Sequence, residues 1–169
     1  MSQTFFLRLL RMLSLLLVQV LVLNQIHLLG CVTPLLIGYM VISLHRGTSH
    51  IAALRWGFAI GLVFDMFNNT AGMASAAMTL LAMVQPPLLS MFTPRDASDD
   101  MAPSFKTIGV FSYILYTLLL MFLLHCVFYL LAAFSLSDWR IVLVSIIGGT
   151  ILSTILSIVT EMLVRTRKT

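Results

Sequence analysis

The sequence predicts an all-α, polytopic integral membrane protein: a bundle of six transmembrane helices with both termini cytoplasmic. Three observations predict it. Of 169 residues, 60% are hydrophobic and only 9% charged, at a mean hydropathy of +1.04. Ordinary globular chains carry about 25% charged residues, so a soluble domain of this size would lack polar surface. The apolar residues gather in long runs separated by short polar breaks, the pattern of successive membrane spans. Threading those runs through a bilayer also puts nine of the ten basic residues on one side, as positive-inside orientation requires.

The chain reads as one transmembrane domain, residues 1–169. The first span, about residues 6–30, has Arg8 and Arg11 ahead of an apolar core. It reaches Asn24-Gln25-Ile26-His27 without a small-residue cleavage site, so it reads as an uncleaved signal anchor. Pro34, well suited to a helix start, opens a short second span at 34–45. The third covers 51–67 and the fourth 73–92, the latter with a kink expected at Pro86-Pro87. After the polar stretch from Thr93 to Lys106, the fifth span runs over 108–134. It exceeds the roughly 20 residues needed to cross, so it is expected to tilt or protrude. The sixth covers 141–164. A re-entrant hairpin made from the short second and third spans is the competing arrangement. It would bury His45, Arg46, His50 and Arg55 in the bilayer at a heavy cost per charge, so two thin or extended spans are the better reading.

Six crossings place Arg8, Arg11, Arg46, Arg55, Arg95, Lys106, Arg165, Arg167 and Lys168 inside and leave Arg140 outside. Orientation therefore explains the pI near 9.5 better than nucleic-acid binding does. The basic residues form no cluster on any polar segment.

The segment from Gly57 to Gly72 is the most informative. Gly57, Gly61 and Asp65 follow one another at four-residue steps, so on a helix they share a face, and a small-residue turn follows at once. Two glycines there admit a second backbone at close range. An Asp at mid-bilayer costs roughly 3 kcal/mol on insertion scales, and less near an interface. Three roles are open for Asp65: capping the neighbouring turn or bonding to Asn24, Gln25 or His27; anchoring a partner's helix; or proton and ligand chemistry. The topology puts it toward the outer interface. The other membrane acid, Glu161, is expected to reach water at the cytoplasmic end. The Gly57/Gly61/Asp65 face therefore reads as a contact surface rather than a reaction site. In the sixth span Ser145, Gly149, Ser153 and Ser157 recur every four residues, a ridge suited to helix packing or to docking a partner.

Neither a cofactor nor a metal is expected. His27 with Cys31 and His125 with Cys126 supply soft ligand types, but adjacent residues on a helix point in different directions. No nucleophile–base pair or phosphate-cradling loop stands out, and Asn68-Asn69-Thr70 is a cheap match to a glycosylation signal. The two cysteines read as free thiols.

The pattern Gly57-x3-Gly61-x3-Asp65-x6-Gly72 in a small six-span chain resembles the rod shape-determining MreD family. The stretch Gln19-Val20-Leu21-Val22-Leu23-Asn24 with Thr33-Pro34, and Phe92-Thr-Pro-Arg-Asp96 with its acidic loop, resemble the Bacteroidetes form. The resemblance covers essentially the whole chain. It implies a non-enzymatic scaffold of the cell-wall elongation machinery, multi-pass in the bacterial inner membrane. Such a scaffold binds MreC, meets RodA and a class B penicillin-binding transpeptidase directly or through MreC, and meets MreB filaments indirectly. It further implies that Gly57, Gly61, Asp65 and Gly72 serve helix packing or partner binding, the roles that spacing alone suggests for Ser145, Gly149 and Ser153. The family is also similar in fold to the substrate-binding subunits of energy-coupling-factor transporters. A small-solute-binding transport subunit is therefore the alternative.

Overall fold

The computed structural model describes Gln19 and residues 33–70, 72–94, 97–133 and 139–166. The expected first span lies outside these residues except for Gln19, as do Asn24, Gln25, His27 and Cys31. The side chains of Arg8, Arg11, Arg95, Arg165, Arg167 and Lys168 lie outside them as well, and with them most of the charge asymmetry. Every regular element among the described residues is a helix. In chain order they are α1 (Gly38–Ile42), α2 (His50–Asn68), α3 (Met73–Phe92), α4 (Phe105–Ile108), α5 (Val110–Ala133) and α6 (Trp139–Thr166).

Four of them, α2, α3, α5 and α6 (the last over Trp139–Val164), are long and apolar enough to cross a membrane. They match the third to sixth expected spans. The helices α2 and α3 form an antiparallel hairpin, α3 packs on α5, and α5 on α6. Outward faces carry large apolar side chains: Phe58 and Met66 on α2, Phe122 on α5, Ile147 and Ile151 on α6. Such residues suit a lipid solvent rather than water.

The expected second span is different. Residues 34–45 contain only the five-residue α1, flanked by turns with i to i+3 bonds such as Tyr39 N–H to the Leu36 carbonyl at 3.0 Å. At 1.5 Å per residue such a helix cannot cross a bilayer. The segment still runs from the end of α5 where Thr33 meets Tyr129 to the end that Arg46 shares with the loop after α3. It does so enclosed by the bundle, with Leu35, Ile37, Val41 and Ile42 almost inaccessible. An apolar run reads alike as a lipid-facing helix or as a coil buried among helices, so hydropathy does not foresee that this stretch is mostly non-helical.

Helix ends follow local chemistry. Ser49 caps α2 by accepting from Ala52 N–H at 3.3 Å. Asn69 ends it in the left-handed conformation, φ 54°, with its N–H on the Asp65 carbonyl. The helix α3 continues through Pro86-Pro87 to Phe92, although two backbone donors are missing there. At the end of the bundle where α2 begins, Arg46 holds the loop after α3. Its Nη1 donates to the carbonyls of Pro94 (3.2 Å) and Ala97 (2.8 Å). The Arg46 and Gly47 amides donate to Met101 and Asp99 carbonyls. The segments around 45–49 and 94–101 thus share one end of the molecule.

Candidate functional site

Two buried polar arrangements stand out. The first is the Asp65 lock between α2 and α3. The first-turn amides of α3 have no helical partners, and the residue preceding the helix, Gly72 at φ 79°, has no side chain to cap them. Asp65 supplies the cap from the neighbouring helix. Its Oδ1 accepts from Ala74 N–H at 2.9 Å and its Oδ2 from Ser75 N–H at 2.8 Å. The Thr70 hydroxyl donates to Oδ1 at 2.6 Å. A carboxylate at a helix N-terminus also meets the positive end of the helix dipole. Asp65 is only 6% exposed, yet both oxygens are satisfied.

The glycines make the approach possible. A Cβ on Gly61 would lie 2.5 Å from Ser75 Cα and 2.7 Å from the Ala74 carbonyl oxygen, and one on Gly57 would lie 2.7 Å from the Met78 carbonyl oxygen. Side-chain volume at either position would force the two backbones apart. Gly57, Gly61, Asp65 and Gly72 therefore act together, but in helix packing within the chain. The face expected to offer a contact surface is occupied by α3. Of the roles open for Asp65, capping of the neighbouring turn is the one the geometry displays.

The second arrangement surrounds residues 33–44. Irregular backbone at membrane depth is tolerated only where the protein satisfies its polar groups, and here side chains from distant positions do so. Gln19 clamps one turn, its Nε2 donating to the Pro34 carbonyl and its Oε1 accepting from Leu36 N–H, both at 2.7 Å. Ser153 Oγ accepts from Leu35 N–H at 2.8 Å. The Tyr129 hydroxyl accepts from Thr33 N–H at 3.2 Å. At the end of α1, the Tyr116 hydroxyl donates to the Ile42 carbonyl at 3.2 Å and accepts from Gln85 Nε2 at 3.0 Å.

On α6, Ser153 also meets His125 Nε2 at 3.2 Å, while His125 Nδ1 lies 2.8 Å from the Met121 carbonyl. Assigning the proton to Nδ1 satisfies every partner with a neutral imidazole: Nδ1–H donates to Met121, and the Ser153 hydroxyl donates to Nε2. Gly149 leaves room for the ring, since a Cβ there would be 2.8 Å from Nε2. Gly149→Ala is expected to displace the imidazole and to destabilise the bundle by about 1–2 kcal/mol. Unfolding in detergent, followed by helical circular dichroism, checks this.

Lower on α6, Glu161 accepts from the Tyr39 hydroxyl at 2.6 Å and is only 4% exposed. The expectation that it reaches water is overturned: Tyr39, on the buried α1, covers it. Of the expected ridge, Ser145, Ser153 and Ser157 are all buried. Ser153 works as a two-way hydrogen-bonding group rather than as a mere small residue. Gln19, Tyr39, Gln85, Tyr116 and Tyr129 carried no signal of their roles, because each partner lies far away in sequence. Among the described residues no group of His, Cys, Asp and Glu is placed to hold a metal, and Cys126 is a free thiol.

These features define a helical membrane protein whose apolar core holds buried polar clusters and whose flanks are apolar. No protein-family model matches the chain, and no curated protein or solved structure shows significant similarity to it.

Proposed function

We propose that the protein is a non-enzymatic scaffold of the cell-wall elongation complex in a bacterial inner membrane, with six crossings, both termini cytoplasmic, and MreC as its direct partner. One observation carries the reading. The residues behind the MreD resemblance, Gly57, Gly61, Asp65 and Gly72, act together as one structural unit. A motif that builds a helical hairpin is what a scaffold family would share. Because α3 covers that face, MreC is assigned to the outward apolar faces, such as that of α6 with Ile147 and Ile151. RodA, the class B transpeptidase and MreB are reached directly or through MreC.

Depletion is expected to turn rod-shaped cells round, and affinity purification to recover MreC. A photo-crosslinker at Ile151 is expected to capture MreC, and one at Met78, buried against Gly57, is not. Normal rods on depletion together with purification free of MreC would refute the reading.

A second reading, a small-solute-binding transport subunit, is favoured by the interrupted segment 33–44 and the polar side chains that converge on it. It predicts a small molecule retained by the purified protein, visible by native mass spectrometry.

A further inference from the structure

We propose that the open groove between α2 and α3 holds an acyl chain of an anionic phospholipid, with the phosphate of that lipid bound by Arg55. The groove has a volume of about 470 Å³, within the range of small-molecule sites. Phe58 lines it from α2, and Gly72, Ala76, Thr79, Leu80 and Met83 line it from α3. The depression exists because glycine and alanine stand among larger side chains that project outward, Phe58 at 51% exposure and Met83 at 64%. From Gly72 to Met83 it extends roughly 16 Å, about half the hydrocarbon thickness of a bilayer and so the depth that the chains of one leaflet reach.

Its lining is apolar even where hydroxyls occur. Thr79 Oγ1 donates to the Ser75 carbonyl at 2.6 Å, and Ser75 Oγ to the Gly72 carbonyl at 3.1 Å. Neither donor is left to recognise a polar solute, so hydrocarbon is the occupant that suits the groove.

A cation stands at its end. Gly61 meets Ser75, and Gly57 meets Met78 and Ala82, so the antiparallel register puts Arg55 level with Ala82 and Met83. Arg55 is exposed, three residues before Phe58 and therefore its neighbour on the surface of α2. Its Nε donates to the Ile51 carbonyl at 3.4 Å. The side chain thus leans toward the start of α2, the direction in which a membrane arginine reaches the headgroups. Its two terminal amino groups have no partner among the described residues, and no carboxylate there neutralises the charge. A guanidinium with that fork open matches phosphate, which it holds through two parallel hydrogen bonds. An apolar groove ending at such a cation selects an amphiphile with an anionic head, not a soluble anion or an uncharged lipid. The proposal rests on α2 and α3 lying in a membrane and on no particular partner.

Native mass spectrometry of the full-length protein tests it, with detergent micelles supplied with equal amounts of phosphatidylglycerol and phosphatidylcholine. One phosphatidylglycerol is expected to stay bound in preference to phosphatidylcholine. Arg55→Gln is expected to weaken that retention about tenfold, the loss of charge-assisted bonds to phosphate. Ala76→Trp, which fills the groove and leaves Arg55 in place, is expected to abolish it. Leu118→Trp, on the exposed side of α5, is expected to retain lipid as the wild type does. Equal retention of the two lipids by the wild type overturns the proposal, as does undiminished phosphatidylglycerol in Arg55→Gln or in Ala76→Trp. So does a photo-crosslinker at Ala76 that captures, in cells, a protein helix in place of lipid.

Discussion

Asp65→Ala is expected to destabilise the protein by about 3 kcal/mol, the sum of a lost helix cap and of buried amides left without acceptors. The substitution removes three hydrogen bonds at once and strands the Ala74 and Ser75 amides. Asp65→Asn is expected to cost about half as much. Its amide oxygen can still accept from one backbone amide, but its NH2 group faces the other as donor against donor. Had Asp65 served a partner or a bound solute, Asp65→Ala would weaken binding and leave the isolated protein as stable as before. Reversible unfolding in mild detergent, read by helical circular dichroism, separates the two cases. The helices most affected are α2 and α3, so hydrogen exchange is expected to rise first in the turn joining them.

Gly61→Ala is expected to destabilise by about 2 kcal/mol, against the usual sign of such a change. In an exposed helix interior, replacing Gly by Ala gains about 1 kcal/mol of helix propensity. Here the new methyl would meet Ser75 Cα, the Ala74 carbonyl oxygen and the Ser75 amide nitrogen, all backbone atoms at 2.5–2.8 Å. No side chain can rotate away to relieve the contact. The hairpin must open, and opening draws the Ala74 and Ser75 amides away from Asp65. Gly57→Ala is expected to behave similarly, since the Met78 carbonyl oxygen and the Ala82 Cβ it would meet cannot rotate away either. Its effect is milder, because it lies one turn farther from the amides that Asp65 caps. Midpoints of thermal unfolding for the two variants, measured side by side, check the order.

The contrast between these residues and the buried polar clusters explains what the sequence revealed. Gly57, Gly61 and Asp65 were legible because one helix repeat relates them and a turn follows at once. Even the capping role lay among the open readings, since its acceptor and donors are nine and ten residues apart. The long apolar helices α2, α3, α5 and α6 were legible for the same reason, as local hydropathy marks them. The interior was not. Ser153 meets His125 across 28 positions and Glu161 meets Tyr39 across 122. No periodicity links such pairs. Glu161 was misplaced because its position near a helix end suggested water, whereas the unforeseen short helix α1 brings Tyr39 over it. The irregular form of segment 33–44 was not legible because burial by protein and burial by lipid select the same apolar residues.

A double-mutant cycle between Gly61→Ala and Asp65→Ala tests most directly the central claim that these residues form one intramolecular lock. Residues that act through a shared contact do not add. Once the hairpin has been forced open at Gly61, Asp65→Ala should cost much less than it does alone, with a coupling of about 1 kcal/mol or more. Full additivity of the two losses would contradict the lock and return the Gly57/Gly61/Asp65 face to the status of two independent features.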